Sequence, residues 1–384
     1  MRGSQENKYR ILVLDGDHKN ALAIVRHLGK TKNYLIDVVS YQKVSITFYS
    51  KYTCRKIVIA NPQKDKEKYM EELLKILETN NYLVLIPVSF ISFRLCAAHK
   101  EKIRQFTCIS IAGIDKIEIA SSKTATYELA RKVGVPCPET MIIRDMKDIE
   151  NMQVEYPCVI KAPFEMGNNV VSYANSKQEF ILKYKQICKT HHFTEILPIV
   201  QEYIKGEGFG FFAYYQKGEC KNWFVHRRLR EYPVSGGAST VAESFCDEKI
   251  VEYGKRLLDD LQWDGVAMVE FKQDKASGMY YLMEINAKFW GSLDLALVAG
   301  INFPQMMIDE ATGNEIETIP FKGKIRFQWI LNGDLFHTLE KPSHIHLFIR
   351  DLFVAKNDFY FTDIKPNLFQ IFYVPVHYYK KLFK

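Results

Sequence analysis

Long apolar runs are missing from this sequence: none approaches the roughly 20 residues that a membrane-crossing helix needs, so no transmembrane segment is expected. The opening MRGSQENKYR has no apolar h-region, and the eight cysteines (Cys54, Cys96, Cys108, Cys137, Cys158, Cys188, Cys220, Cys246) stand singly without a CxxC pair. A disulfide framework or zinc ribbon is set aside on that ground, and reduced thiols in a cytoplasmic protein are expected. Runs of five or six basic residues are also absent, and the net charge of +7 is spread from end to end. A nucleic-acid arm is therefore excluded, and a polyanionic small molecule suits the chain better than a duplex. Internal repeats and low-complexity tracts are lacking as well. What is present, 47% hydrophobic and 25% charged residues over 384 positions, is the composition of a well-packed chain of two or three domains.

Glycine is scarce where a dinucleotide would need it. The segment YRILVLDGDHKNALAIVRHLGK reads as a buried strand, a turn and a helix, but the turn Asp15-Gly16-Asp17-His18 offers one glycine and two carboxylates. A pyrophosphate fingerprint needs several glycines and an uncluttered helix N-terminus, so NAD binding is not expected. Further strands follow in LIDVVSY, KIVIAN and YLVLIPVS, alternating with helical segments such as KEKYMEELLKILETN. This alternation implies parallel βαβ units, an open α/β domain reaching to about Ile119.

From Ser121 or Ser122 a capped helix is expected to run to about Gly134, with Pro136 and Pro138 forcing an extended exit. The pattern then changes to short strands, YPCVIKAP and VVSYA, a helix near Lys177 to Cys188, and alternating aromatic strands turning at Lys217 and Gly218. An antiparallel sheet is the reading, completed by a helix near Glu248 to Leu261 and the strands GVAMVEFKQD and MYYLMEIN. The aromatic stretch after about Pro320 is the least readable.

Chemistry concentrates in YYLMEINAKFWG, where Glu284, Asn286 and Lys288 alternate and so leave one face of an extended strand. Glu270, in the preceding strand, can face the same ion as Glu284 across the hairpin. Two carboxylates and an amide oxygen are the ligands magnesium takes, and a buried carboxylate pair without a cation would be costly. An exposed hairpin pair is the competing reading. Lys161 ends CVIK ahead of a turn holding Gly167, Asn168 and Asn169, whose amides suit phosphate. Lys123 falls at a helix N-terminus, where a cation is disfavoured unless an anion is nearby. Gln201-Glu202-Tyr203-Ile204 with Gly206 and Glu207 reads as a hinge offering backbone hydrogen bonds to an adenine edge and a carboxylate to ribose hydroxyls. Arg227 and Arg228 are candidates for an acceptor carboxylate or a moving phosphate, and since one of two strand neighbours faces a site, Arg228 is preferred. Ser235 to Ser239 reads as a closing loop or a plain turn, His226 as a strand-surface residue, and His191 and His192 as a solvated loop.

In order, SSKTATYELARKVGVPCP, PCVIKAPFEMGNNVV, IVQEYIKGEGF, DGVAMVEFK and YLMEINAKFWGSLDLALVAGINFP resemble the ATP-grasp superfamily, of carbamoyl-phosphate-synthase-like and carboxylate–amine ligase type, over about residues 9 to 315. The resemblance implies an N-terminal parallel α/β domain (1–119), a linker helix with a small lid (120–199), an antiparallel core carrying the metal site (200–319) and an extension (320–384). It implies that Lys123, Lys161 and the Gly167 loop meet ATP phosphates, that Glu202, Tyr203 and Ile204 border adenine, and that Glu207 takes ribose. Glu270, Glu284 and Asn286 would hold magnesium, or manganese in its place, with Arg228, Asn286 and Lys288 catalytic. The implied reaction is activation of a carboxylate as an acyl phosphate with release of ADP, then displacement of phosphate by an amine or another nucleophile such as a thiol. Lys288 stands where the family usually has arginine, keeping the charge but losing the fork, and the phosphate loop is poor in glycine. Both motivate an alternative, an ATP-binding regulatory or assembly module. A biotin-dependent carboxylase is disfavoured by the absence of a Met-Lys-Met motif. Small-molecule carboxylate and amine substrates are the expected partners, no nucleic acid is expected, and a homo-oligomer is left open. The tail LFQIFYVPVHYYKKLFK sets aromatics beside three lysines, as a segment lying on a membrane surface or against a glycan-processing partner would, but Pro375 interrupts any long helix and packing on the body is expected.

Overall fold

The computed structural model describes residues 8–165, 170–321 and 323–372. Gly167, Asn168 and Asn169, and the tail from Tyr373 through Pro375 to Lys384, lie outside the described residues.

Four parallel strands, β1 (Tyr9–Val13), β2 (Tyr34–Ser40), β3 (Thr53–Val58) and β4 (Val84–Ile86), form a sheet in the order β3-β2-β1-β4. Ile11, Leu12 and Val13 are wholly buried, as a strand covered on both faces requires. The expected helix is found at Lys66–Thr79, capped by Asp65, whose carboxylate accepts from the Lys68 amide at 2.9 Å.

A second, antiparallel sheet of β5 (Thr140–Ile142), β6 (Cys158–Lys161), β7 (Val171–Ala174) and β8 (Ile199–Glu202) runs in the order β5-β8-β6-β7. The helix Lys177–His191 covers it, burying Phe180, Tyr184 and Cys188. That spacing of four sets them on one stripe, and they share with Ile149 and Ile160 a small core separate from the main one.

The third sheet carries the molecule. Its strands are β9 (Gly206–Gln216), β10 (Glu219–Tyr232), β11 (Ala238–Phe245), β12 (Gly265–Asp274), β13 (Tyr280–Asn286), β14 (Arg326–Gln328) and β15 (Lys356–Asn357), in the order β13-β12-β9-β10-β11-β14-β15. Lys217 and Gly218, both at positive φ (53° and 80°), close the β9–β10 hairpin, the backbone a two-residue turn demands. The helix Lys123–Lys132 is capped by Ser122, whose hydroxyl accepts from the Ala125 amide at 3.3 Å. Tyr127 anchors that helix by donating to the Met283 carbonyl on β13 at 2.8 Å.

The stretch after Pro320 is built into the body. Strand β14 pairs with β11, and β15 with β14. Buried Arg230 donates to both carboxylate oxygens of Asp334 (2.8 and 2.7 Å) and to Asp351 (2.7 Å). Farther along, Arg26 of the first domain reaches Asp363 at 2.9 Å and Asn367 at 3.0 Å.

Candidate active site

A cavity of about 470 Å³ opens between the second sheet and the third. Glu270 on β12 and Glu284 on β13 are direct cross-strand partners on its floor. Two carboxylates held this close repel unless cations intervene, and cations do: Lys123 Nζ lies 2.5 Å from Glu284 and Arg228 Nη2 3.1 Å from Glu270. Burial works to raise the Glu284 carboxyl, but the Lys123 ammonium overrides it and holds Glu284 well below the usual carboxylate range. Conversely, burial works to lower Lys123, and Glu284 lifts it above its ordinary value. Asn286 donates from Nδ2 to Glu284 at 2.9 Å, and its Oδ1 accepts from Lys288 Nζ at 3.1 Å.

Arg228 reaches Glu270 across the central strand, passing over Gly208, where a Cβ would stand in ordinary contact with it at 3.4 Å from Cδ. The same guanidinium donates to Ser239 Oγ (2.9 Å) and to the Gly237 carbonyl (3.1 Å). The loop read as a closing segment is thereby tied to the cavity wall, where Gly236 to Ser239 all lie. Arg227, its neighbour, faces the opposite side of the sheet and pairs with Glu243 at 2.6 Å.

Lys161 sits at the end of β6 with its ammonium 2.7 Å from Gln201 Oε1. Burial, joined by the nearby Lys123 ammonium, lowers Lys161 to about 8. Beside it the chain leaves β8 at Glu202 and enters β9 at Gly206 through Tyr203, Ile204 and Lys205. Glu202, Tyr203 and Ile204 all line the cavity.

The segment 198–332 matches the family described as "ATP-grasp in the biosynthetic pathway with Ter operon". A D-aspartate ligase of Enterococcus faecium is 22% identical over 341 residues, 82% of this chain and 80% of that protein. Among solved structures, the biotin carboxylase–βγ-ATP complex from Campylobacter jejuni superimposes with a TM-score of 0.66 at 15% identity, covering 84% of this chain and 75% of that one. The L-amino acid ligase from Bacillus licheniformis gives 0.61 at 14% identity, over 79% of this chain and 74% of that one. Residues 198–332 therefore resemble an ATP-grasp family, and the chain shares the fold of these solved structures.

The fold gathers Lys123, Lys161, Glu202, Tyr203, Ile204, Arg228, Glu270, Glu284, Asn286 and Lys288 around one cavity. It does not bring Glu207 there. The register places Gly208 opposite Lys272 and Glu207 opposite Gln273, so strand alternation sends Glu207 to the far face, exposed and 3.7 Å from Arg227. The ribose role expected of Glu207 is corrected on that ground. His226, expected at the surface, is fully buried with both ring nitrogens lacking a hydrogen-bond partner; burial and then Arg228 push it well below its ordinary value, so it is neutral at pH 7.

Several cavity residues escaped the sequence reading. Lys272 lies two residues after Glu270 on the same face, with its ammonium 3.3 Å from the Ile204 carbonyl and 5.4 Å from the centre of the Tyr203 ring. The alternation that exposed Asn286 beside Glu284 would have found it. Glu165, 3.3 Å from Lys288, and Glu231, 3.3 Å from Arg228, come from distant segments and carry no such signal.

Oxygen donors on facing strands, one of them held ionised by Lys123, match the hard ligands magnesium prefers. Among the described residues no group of three or more carboxylate, histidine or cysteine side chains is placed to hold a metal, so here Asn286 would have to complete the Glu270–Glu284 pair.

Proposed function

We propose that the protein is an ATP-dependent carboxylate–amine ligase with an amino acid among its substrates. The observation that carries this reading is the cross-strand pair Glu270 and Glu284, with Asn286, set among the five cations Lys123, Lys161, Arg228, Lys272 and Lys288 beside the β8–β9 hinge. The relatives named as D-aspartate and L-amino acid ligases support the substrate class.

In this reading Tyr203 and Ile204 offer backbone to the adenine edge and Glu202 borders it. Lys123 and Lys161 meet the phosphates. Glu270, Glu284 and Asn286 would hold magnesium, or manganese, whose charge neutralises phosphate oxygens. Arg228 orients the acceptor carboxylate by its guanidinium fork, and Lys288 meets charge on the moving phosphoryl group. A substrate carboxylate oxygen attacks the γ-phosphorus and the bond to the β,γ-bridging oxygen breaks, giving an acyl phosphate and ADP. An amine nitrogen then attacks the acyl carbon, phosphate leaves, and the surplus proton passes to solvent. Such chemistry asks for positioning and charge neutralisation more than for an acid or base, which fits a cavity rich in ammonium groups and a histidine that is buried and neutral.

The test is ADP release from Mg-ATP with pooled amino acids and small carboxylates, alongside a Glu270→Gln/Glu284→Gln variant. ADP and a new amide by mass spectrometry from the parent, with neither from the variant, are expected. Tight magnesium-dependent ATP binding with no ADP from any pool would favour the regulatory-module alternative instead.

A further inference from the structure

A helix on a soluble surface turns its apolar stripe inward and its polar side to water. The helix Ile345–Val354, IHLFIRDLFV, does the reverse. Its buried residue is Asp351, which takes ion pairs from Arg230, Arg326 and Arg350. Ile345, Ile349, Leu352, Val354 and Phe353, the last 83% exposed, point outward. The helical turns at 364–372 repeat the inversion. There Asn367 and Gln370 are buried, bonded to Arg26 and Asn332, while Leu368, Ile371 and Phe372, the last 77% exposed, are outside. Phe361, between the two, is 83% exposed. The body holds this region by buried ion pairs and amide hydrogen bonds, joined by half-buried Leu347 and Phe348 and by Phe369, whose ring stacks on Tyr49 at 4.9 Å. The apolar side is left for something else, and an apolar surface of this kind marks an interaction site.

Charge selects the partner. From Leu339 to Phe372 the exposed ionic side chains are Lys341, Arg350, Lys356 and Lys365, with His346, against one exposed carboxylate, Glu340; Asp351, Asp358 and Asp363 are all buried. A two-fold contact with a second copy would set these cations against one another. An anionic bilayer supplies both an apolar layer for the phenylalanines and the opposite charge. No described helix is long and apolar enough to cross a membrane, so the contact is with the surface. We propose that the outward faces of 345–354 and 361–372 form a lipid-contact surface by which the protein docks peripherally on an anionic membrane.

Full-length protein would be sedimented with vesicles of phosphatidylglycerol and phosphatidylcholine, and with phosphatidylcholine alone. Two variants accompany it, Phe353→Ser/Phe361→Ser/Phe372→Ser and Lys341→Gln/Lys356→Gln/Lys365→Gln. The parent should partition onto the anionic vesicles and far less onto neutral ones, and each variant should lower that partition about a hundredfold with its melting temperature and ATP affinity unchanged. A parent that stays in the supernatant with anionic vesicles would overturn the proposal, as would binding indifferent to the phenylalanine changes. So would a concentration-dependent dimer, seen by light scattering without vesicle binding and dissolved by the phenylalanine variant, which assigns the surface to a second copy.

Discussion

Raising the pH should weaken nucleotide binding through one ammonium group. Lys161 is lowered to about 8 by burial and the neighbouring Lys123, whereas Lys123 is held above its ordinary value by Glu284, so of the two lysines proposed to meet the phosphates Lys161 is the one that titrates between pH 7 and 9. At pH 7 about nine-tenths of the free protein carries that proton, and at pH 9 about one-tenth does, by the ordinary titration relation. Phosphate oxygens beside Lys161 favour the charged form, so the complex takes up the missing proton and affinity should fall about tenfold between pH 7 and pH 9, roughly 1.4 kcal/mol. Stability of the free protein runs the opposite way. The folded-state value lies below the ordinary 10.5, the unfolded chain binds more protons between the two values, and stability rises from about pH 8 to about 10.5, by roughly 3 kcal/mol in the limit. Calorimetric titration of ATP from pH 7 to 9, with urea unfolding at each pH, reads both effects. Lys161→Met should flatten both curves. A tenfold loss that persists in Lys161→Met would assign the proton to another group, and a parent with the same affinity at pH 7 and 9 would refute the reasoning outright.

Three further outcomes are expected. Lys123→Met should destabilise the free protein by about 2 kcal/mol, because half-buried Glu284 loses its 2.5 Å partner, and adding Glu284→Gln should recover most of the loss in urea unfolding. Arg230→Met should cost about 3–5 kcal/mol, since Asp334 and Asp351 are fully buried and both are paired with it; a drop in melting temperature of only a degree or two would show that the C-terminal segment is held otherwise. Glu207→Ala should leave ATP affinity within about twofold, that being the range of an exposed residue with a weak ion pair, and a tenfold loss in calorimetry would restore Glu207 to the cavity.

What the sequence determined by itself was everything governed by spacing of a few residues. The period of two in Met283 to Lys288 set a carboxylate, an amide and an ammonium on one face, and the same rule allowed only one of Arg227 and Arg228 into the cavity, leaving the structure to say which. Turn chemistry placed the hairpin at Lys217 and Gly218, and capping placed the helix start beside Lys123. These are local choices, because backbone geometry fixes which way neighbouring side chains point. Tertiary structure decided the rest. Which face Glu207 takes depends on register with β12, more than sixty residues away along the chain. His226 is buried because Gly210 lets the Phe212 ring close over it. The segment 345–372 gave no clear pattern because Asp351, Asp363, Asn367 and Gln370 are buried while Phe353, Phe361 and Phe372 face outward, against what periodicity expects. Its place was set by Arg26 and Arg230, whose acidic partners lie between 104 and 337 residues farther along the chain. Pairings over such separations leave no trace in local spacing, so folding alone brings them together.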